Sequence, residues 1–109
     1  MSCFNKDKFQ ELRANILAPD KDHVEIIEGE KLYFKAEASG GNPPYTYSWD
    51  FSVIAPPSSE KNPSGIVFNC PGAYKVSLTV KDTKNNIKTD FVRIIVEEDK
   101  YSVQSQNAF

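Results

Sequence analysis

The sequence predicts an all-β chain, an antiparallel two-sheet β-sandwich of about seven short strands. Three observations carry that expectation. Apolar residues recur at every second position, turn-forming residues punctuate the chain at short intervals, and the body holds no convincing helical repeat. KLYFKAEA puts Leu32, Phe34, Ala36 and Ala38 on one face and Lys31, Tyr33, Lys35 and Glu37 on the other. AYKVSLTVKD sets Tyr74, Val76, Leu78 and Val80 against Lys75, Ser77, Thr79 and Lys81. A strand with one apolar face must hide it against a second layer, so two sheets pack face to face.

The N-terminal stretch FNKDKFQELRANIL, residues 4–17, departs from this pattern. Asn5 suits a helix cap, Phe4 and Phe9 suit a hydrophobic staple, and Phe9, Leu12 and Ile16 follow a helical spacing. So short a helix is marginal in water. Residues 1–15 are therefore read as a linker or a short docking helix, and residues 16–97 as the sandwich. From Leu17 the period is two. APDKDHVEIIEGEK holds a first strand between Pro19 and Gly29, KLYFKAEA is the next, and SGGNPP is a loop by composition.

YTYSWDF, residues 45–51, follows with aromatics at alternate positions: Tyr45, Tyr47, Trp49 and Phe51. SVIAPPSSEKNPSG reads as a long loop with a short edge strand near Val53 and Ile54. GIVFN is a short strand, NCPG turns it into AYKVSLTVKD, and DTKNN is a hairpin turn. IKTDFVRIIVEE returns with Val92, Ile94 and Val96 inward and Phe91 and Ile95 outward. Residues 98–109 read as a polar, disordered tail. The expected core comprises Phe34, Trp49, Phe68, Tyr74, Val76, Leu78 and Val80.

The 109 residues make one domain. A net charge of -2 gives no broad cationic field, so nucleic acid and anionic membrane are not expected as general partners. No apolar run reaches the roughly 20 residues that span a bilayer. MSCFNKDKFQ lacks the basic start and apolar run of a signal peptide, although a chain cut from a longer precursor would read the same way. Cys3 and Cys70 have no CxxC partner and are expected as free thiols.

No catalytic group emerges. The single histidine, His23, sits in the acidic stretch DKDHVE and reads as a surface residue. Asp50, Asp82 and Asp90 are the carboxylates a glycoside hydrolase would need in a pair, but their spacing does not ask for that chemistry. Asp50 and Asp82 sit where aspartates accept turn N–H groups. Zinc is less supported than calcium, with one histidine and two distant cysteines. Sugars stack on water-facing rings, and the candidates are Tyr33 first, then Tyr45 and Tyr47, with Phe91 and Ile95 as further outward residues that would equally dock the 4–17 segment. The plain reading of such rings is cross-strand pairing on a sheet.

GGNPPYTYSWDF, then PGAYKVSLTVKD, then a closing strand ending in IIVEE resemble the PKD domain (polycystic kidney disease domain) over about residues 16–97. The resemblance implies an immunoglobulin-like sandwich of extracellular and cell-surface proteins, often beside enzymatic domains. It implies a non-catalytic module for adhesion, spacing, or protein and polysaccharide contact, here expected in a bacterial surface or secreted protein. The family usually continues WDF with a Gly-Asp-Gly turn; this chain has Ser52, Val53, Ile54 and Ala55. Some bacterial members bind calcium near the first strand, which would make Asp20, Asp22, Asn42 and Asp50, with Glu28, candidate oxygen ligands. Calcium wants six to eight oxygens and no DxDxDG loop is present, so solvated surface acids are the plain reading. No other cofactor is expected. The leading function is an interaction and spacer module contacting neighbouring domains and a protein or polysaccharide surface. The alternatives are a carbohydrate-binding module using the three tyrosines and a calcium-stabilised accessory domain of a secreted hydrolase.

Overall fold

In the computed structural model, which describes residues 10–20 and 22–100, the apolar alternation of the sequence becomes eight strands. They are β1 (Arg13–Ala18), β2 (His23–Ile27), β3 (Lys31–Leu32), β4 (Lys35–Ser39), β5 (Thr46–Asp50), β6 (Ile66–Val67), β7 (Gly72–Lys81) and β8 (Ile87–Glu97). The strongest period-two runs make the longest strands, β7 and β8, which form an antiparallel hairpin from Gly72 opposite Val96 to Lys81 opposite Ile87. One layer has the order β2-β8-β7-β5, with β2 parallel to β8 and β5 antiparallel to β7. The other is built from the antiparallel pairs β1–β4 and β3–β6. β3 and β4 are the expected strand KLYFKAEA, broken at Tyr33 and Phe34.

Between the layers lies one core. Leu12, Ile26, Phe34, Ala36, Trp49, Phe51, Phe68 and the inward valines, leucine and isoleucine of β7 and β8 are all buried. The rings form a connected group: Phe34 lies 5.3 Å from both Trp49 and Phe51, and Phe68 stands edge-on to Tyr74 at 5.9 Å. Burying each large ring contributes about 2–3 kcal/mol, and well-oriented pairs add about 0.5–1.5 kcal/mol. Trp49 is fully buried, so the aromatic alternation of YTYSWDF belongs to the inside of the fold. Six of the seven expected core residues are buried, while Tyr74 is half-buried at the margin.

Two expectations need correction. Residues 13–18 are strand, not helix or linker, and Leu12 is a core residue at 3% exposure, so the ordered sandwich begins before residue 16. Leu12 and Ile16 satisfy both a period of two and a period of 3.6; pairing with β4 decides for the strand. No strand forms at Val53 and Ile54, where the chain turns and Val53 is 91% exposed. Pro56 and Pro57 cannot donate to a ladder, and the contact with β5 is made instead by Ser58. Its N–H donates to the Trp49 carbonyl at 3.1 Å and its carbonyl accepts from Trp49 N at 2.8 Å. The strand expected between Pro19 and Gly29 is present as β2, and β1 is an element beyond those expected. The N-terminal cap and staple, Cys3 and the tail from residue 101 lie outside the described residues.

The chain crosses between layers at its start, because β1 pairs with β4 while β2 pairs with β8. It also has two distinct poles. At one, Gly41 N donates to the Gln10 carbonyl at 2.7 Å beside the β7–β8 turn. At the other, Glu28 N donates to the Glu97 carbonyl at 2.8 Å where β8 ends.

Candidate functional site

The one buried charged residue among those described is Asp82, at the end of β7. Its Oδ1 accepts from the N–H groups of Lys84 and Asn86, both at 2.9 Å. Its Oδ2 accepts from Asn42 N at 3.0 Å, Asn42 Nδ2 at 3.1 Å and Asn86 Nδ2 at 3.0 Å. Burial alone would raise its pKa, but the bonds from Asn86, Asn42 and Lys84 outweigh that and hold the carboxyl well below the usual carboxylate range. Gly41, at φ +60°, passes so close that a Cβ there would sit 2.7 Å from Asp82 Oδ2. Asp82 therefore ties the loop after β4 to the β7–β8 turn. It is a structural anchor with no lone pair to spare for chemistry.

The other candidate acids are also bonded to backbone. Asp50 Oδ1 accepts from Ser52 N at 2.8 Å, in a turn where Ser52 takes φ 63° in place of a glycine. Asp90 Oδ1 accepts from Phe91 N at 2.9 Å and its Oδ2 from Ile16 N at 2.8 Å. That second bond joins β8 of one layer to β1 of the other, a role the sequence reading missed because the partners lie 74 residues apart. Next to it, Lys88 Nζ reaches Glu11 Oε2 at 2.9 Å, a bond that lowers the pKa of Glu11. His23 is exposed, with Nε2 3.3 Å from Glu25 Oε2. Cys70 is an exposed thiol whose backbone carbonyl accepts from the Tyr74 hydroxyl at 2.6 Å.

The calcium candidates are dispersed. Asp20 and Asp22 are exposed beside β2, where the Asp22 carbonyl accepts from Arg93 N at 2.9 Å. Asp50 lies on β5, at the opposite edge of the same sheet, and Asn42 lies at the Asp82 pole. Glu28 Oε2 accepts from Asp99 N at 2.8 Å. Among the described residues no three His, Cys, Asp or Glu side chains gather as a metal site would require.

The three tyrosines do not form one platform, contrary to their grouping as a single site. Tyr47 on β5 and Tyr45 just before it have the same parity as Trp49 and pack half-buried against the core margin. The Tyr45 hydroxyl donates to the Gly40 carbonyl at 2.7 Å, and Lys61 Nζ stands 6.0 Å from the centre of the Tyr47 ring. Alternation makes the reason plain: residues two apart share a face, and here that face is the core.

Tyr33 belongs to the other layer and is 61% exposed. It borders a groove of about 290 Å³ lined by Ala18, Phe34, Lys35, Asn62, Pro63 and Ser64. Two bonds seat the 62–64 segment against β4: Phe34 N to the Pro63 carbonyl at 2.9 Å, and Ala36 N to Asn62 Oδ1 at 3.2 Å. The sequence reading found Tyr33 and missed Asn62, Pro63 and Ser64, since no spacing links a loop to a strand about 30 residues earlier. On the opposite face of the molecule Phe91 is 52% exposed, as its outward parity predicted, with Lys75 Nζ 4.5 Å above its ring.

Comparison with known proteins agrees with this architecture. A structure described as the basis for the promiscuous specificity of carbohydrate-binding modules of the β-sandwich superfamily superposes with a TM-score of 0.65 at 22% identity, over 83% of this chain and 36% of that one. SGBP-B of a Bacteroides ovatus mixed-linkage glucan utilization locus, in complex with a mixed-linkage heptasaccharide, matches at a TM-score of 0.54 and 16% identity over 78% of this chain and 24% of its own. The BIgI domain of the S. agalactiae beta protein, bound to CEACAM1, matches at 0.56 and 14% identity over 82% of this chain and 99% of its own. These likenesses are of fold. This chain spans little more than a third, or less, of the first two. No curated protein matches significantly. The sequence model of the PKD domain, however, matches residues 17–96, from β1 through the last inward valine of β8, and on that match the chain belongs to the PKD domain family.

Proposed function

We propose that this PKD domain is a non-catalytic interaction and spacing module of a larger surface or secreted protein, making contact with protein or carbohydrate. The observation that carries the reading is the separation of entry and exit. β1 starts at the pole of the β7–β8 turn, and β8 leaves at the far pole after 11 residues, a rise of about 35 Å. Domains joined at the two ends are held apart by a packed sandwich, at one distance. A flexible linker of similar length would give a broad, fluctuating range.

Several features support a non-catalytic role. Asp50, Asp82 and Asp90 all serve backbone N–H groups, and His23 is a surface residue. Separately from that question, among the described residues no helix is long and apolar enough to cross a membrane. Similar folds are described as carbohydrate-binding modules and as a domain bound to a protein, the kinds of contact proposed here.

Spin labels at Gln10 and Glu98 test the spacer. The expected distance distribution is single and narrow, at about 35 Å. A broad distribution would show that the module does not fix the separation of its neighbours.

A further inference from the structure

We infer that the groove beside Tyr33 is a glycan subsite, in which the flat C–H face of one sugar ring stacks on the Tyr33 ring while its hydroxyls bond to a rim formed by Lys35, Asn62 and Ser64. The inference rests on the interaction-module reading and names the ligand class and the place of contact. Tyr33 is the most exposed aromatic ring among the described residues, at 61%, and it stands at the break between β3 and β4. Beneath and beside it the groove is apolar, formed by Ala18, Phe34 and Pro63. Around it the side chains are polar and exposed: Lys35, Asn62 and Ser64.

A sugar ring has the same division, an apolar face bordered by hydroxyls. The rim is suited to it. Asn62 commits Oδ1 to Ala36 N, so its Nδ2 remains a donor, and Ser64 offers a hydroxyl that donates or accepts. The bonds from Phe34 N and Ala36 N fix the 62–64 segment before any ligand arrives, which lowers the ordering cost of binding. At about 290 Å³ the groove is at the small end of ligand sites, the size for one or two sugar units of a longer chain. Proline-rich peptides dock in grooves walled by several aromatics; this one has a single exposed ring, which favours the glycan.

Native gels containing mixed-linkage β-glucan, xylan, laminarin or dextran, with chitin oligomers tested by titration, provide the test. At least one of these glycans should retard or bind the domain. Tyr33→Ala should weaken that binding about tenfold, Tyr33→Phe should keep it because the flat ring remains, and Val53→Ala, at an exposed turn residue that does not line the groove, should leave it unchanged. Tyr33 is exposed, so the variants should unfold at the wild-type temperature. Lack of binding to every glycan in the panel would overturn the inference. So would equal binding by Tyr33→Ala, or a proline-rich peptide that binds in a Tyr33-dependent way while the glycans do not. The spin-label distance is independent of Tyr33; a narrow distribution with no glycan binding would leave the spacer standing and remove the subsite alone.

Discussion

Both carboxylate oxygens of Asp82 are taken up by the turn it caps and by Asn42, 40 residues earlier. Its pKa is depressed in the folded chain, below the ordinary aspartate value of about 3.9. The unfolded chain therefore takes up the proton first on acidification. The stabilisation is complete above about pH 4 and is lost as pH falls below it through the folded-state pKa. Thermal unfolding followed by circular dichroism should show Asp82→Asn melting well below the wild type near pH 7. The gap should narrow below about pH 4, whereas a gap that did not change with pH would mean that the charge of Asp82 contributes nothing. At this scale the sequence was partly legible. The position of Asp82 at a strand end marks it as a turn acceptor, but nothing near it in the sequence points to Asn42, because the contact exists only once β4 and β7 share a pole.

Strand β1 shows what decides an element when local signals conflict. Read locally, Leu12 and Ile16 are four apart, and the alanines at 14 and 18 are too small to declare an alternating face. In the fold, Ala14 lies opposite Ala38 and Ile16 opposite Ala36, while Leu12 closes the core at the pole. Leu12→Ala should cost about 2–5 kcal/mol in urea unfolding, as large-to-small core changes do. Leu17→Ala, at a residue 40% exposed, should stay within about 0.5 kcal/mol. Near-neutral values at both positions would return this segment to the linker reading. By contrast β5, β7 and the second half of β8 were legible, because each has an apolar face that a strand presents to a second layer; in the first half of β8 Lys88 and Asp90 occupy that face. The segment between β5 and β6 was not, since its prolines mark where a strand cannot run without saying which residue makes the contact.

At the scale of the whole molecule, two layers and one aromatic core follow from the alternation, and the match of the family over residues 17–96 agrees. The candidate groove is legible only in half. An outward tyrosine can be counted off along a strand, yet the loop that faces it is delivered by the closing of the fold. The crossing of the chain from one layer to the other has a mechanical consequence. Asp22 and Glu28 bracket β2 with bonds to Arg93 and Glu97, so β2 lies parallel to the last strand and the even-numbered Val24 and Ile26 face it. Tension drawn through the two ends of the chain would pull these neighbours lengthwise past each other, loading all their bonds at once instead of opening them singly. In single-molecule stretching Val24→Pro, which deletes one of those bonds, should lower the rupture force sharply, whereas Val53→Ala should leave it unchanged. A bystander to binding would then be the clasp that keeps the domain shut when its neighbours are dragged apart.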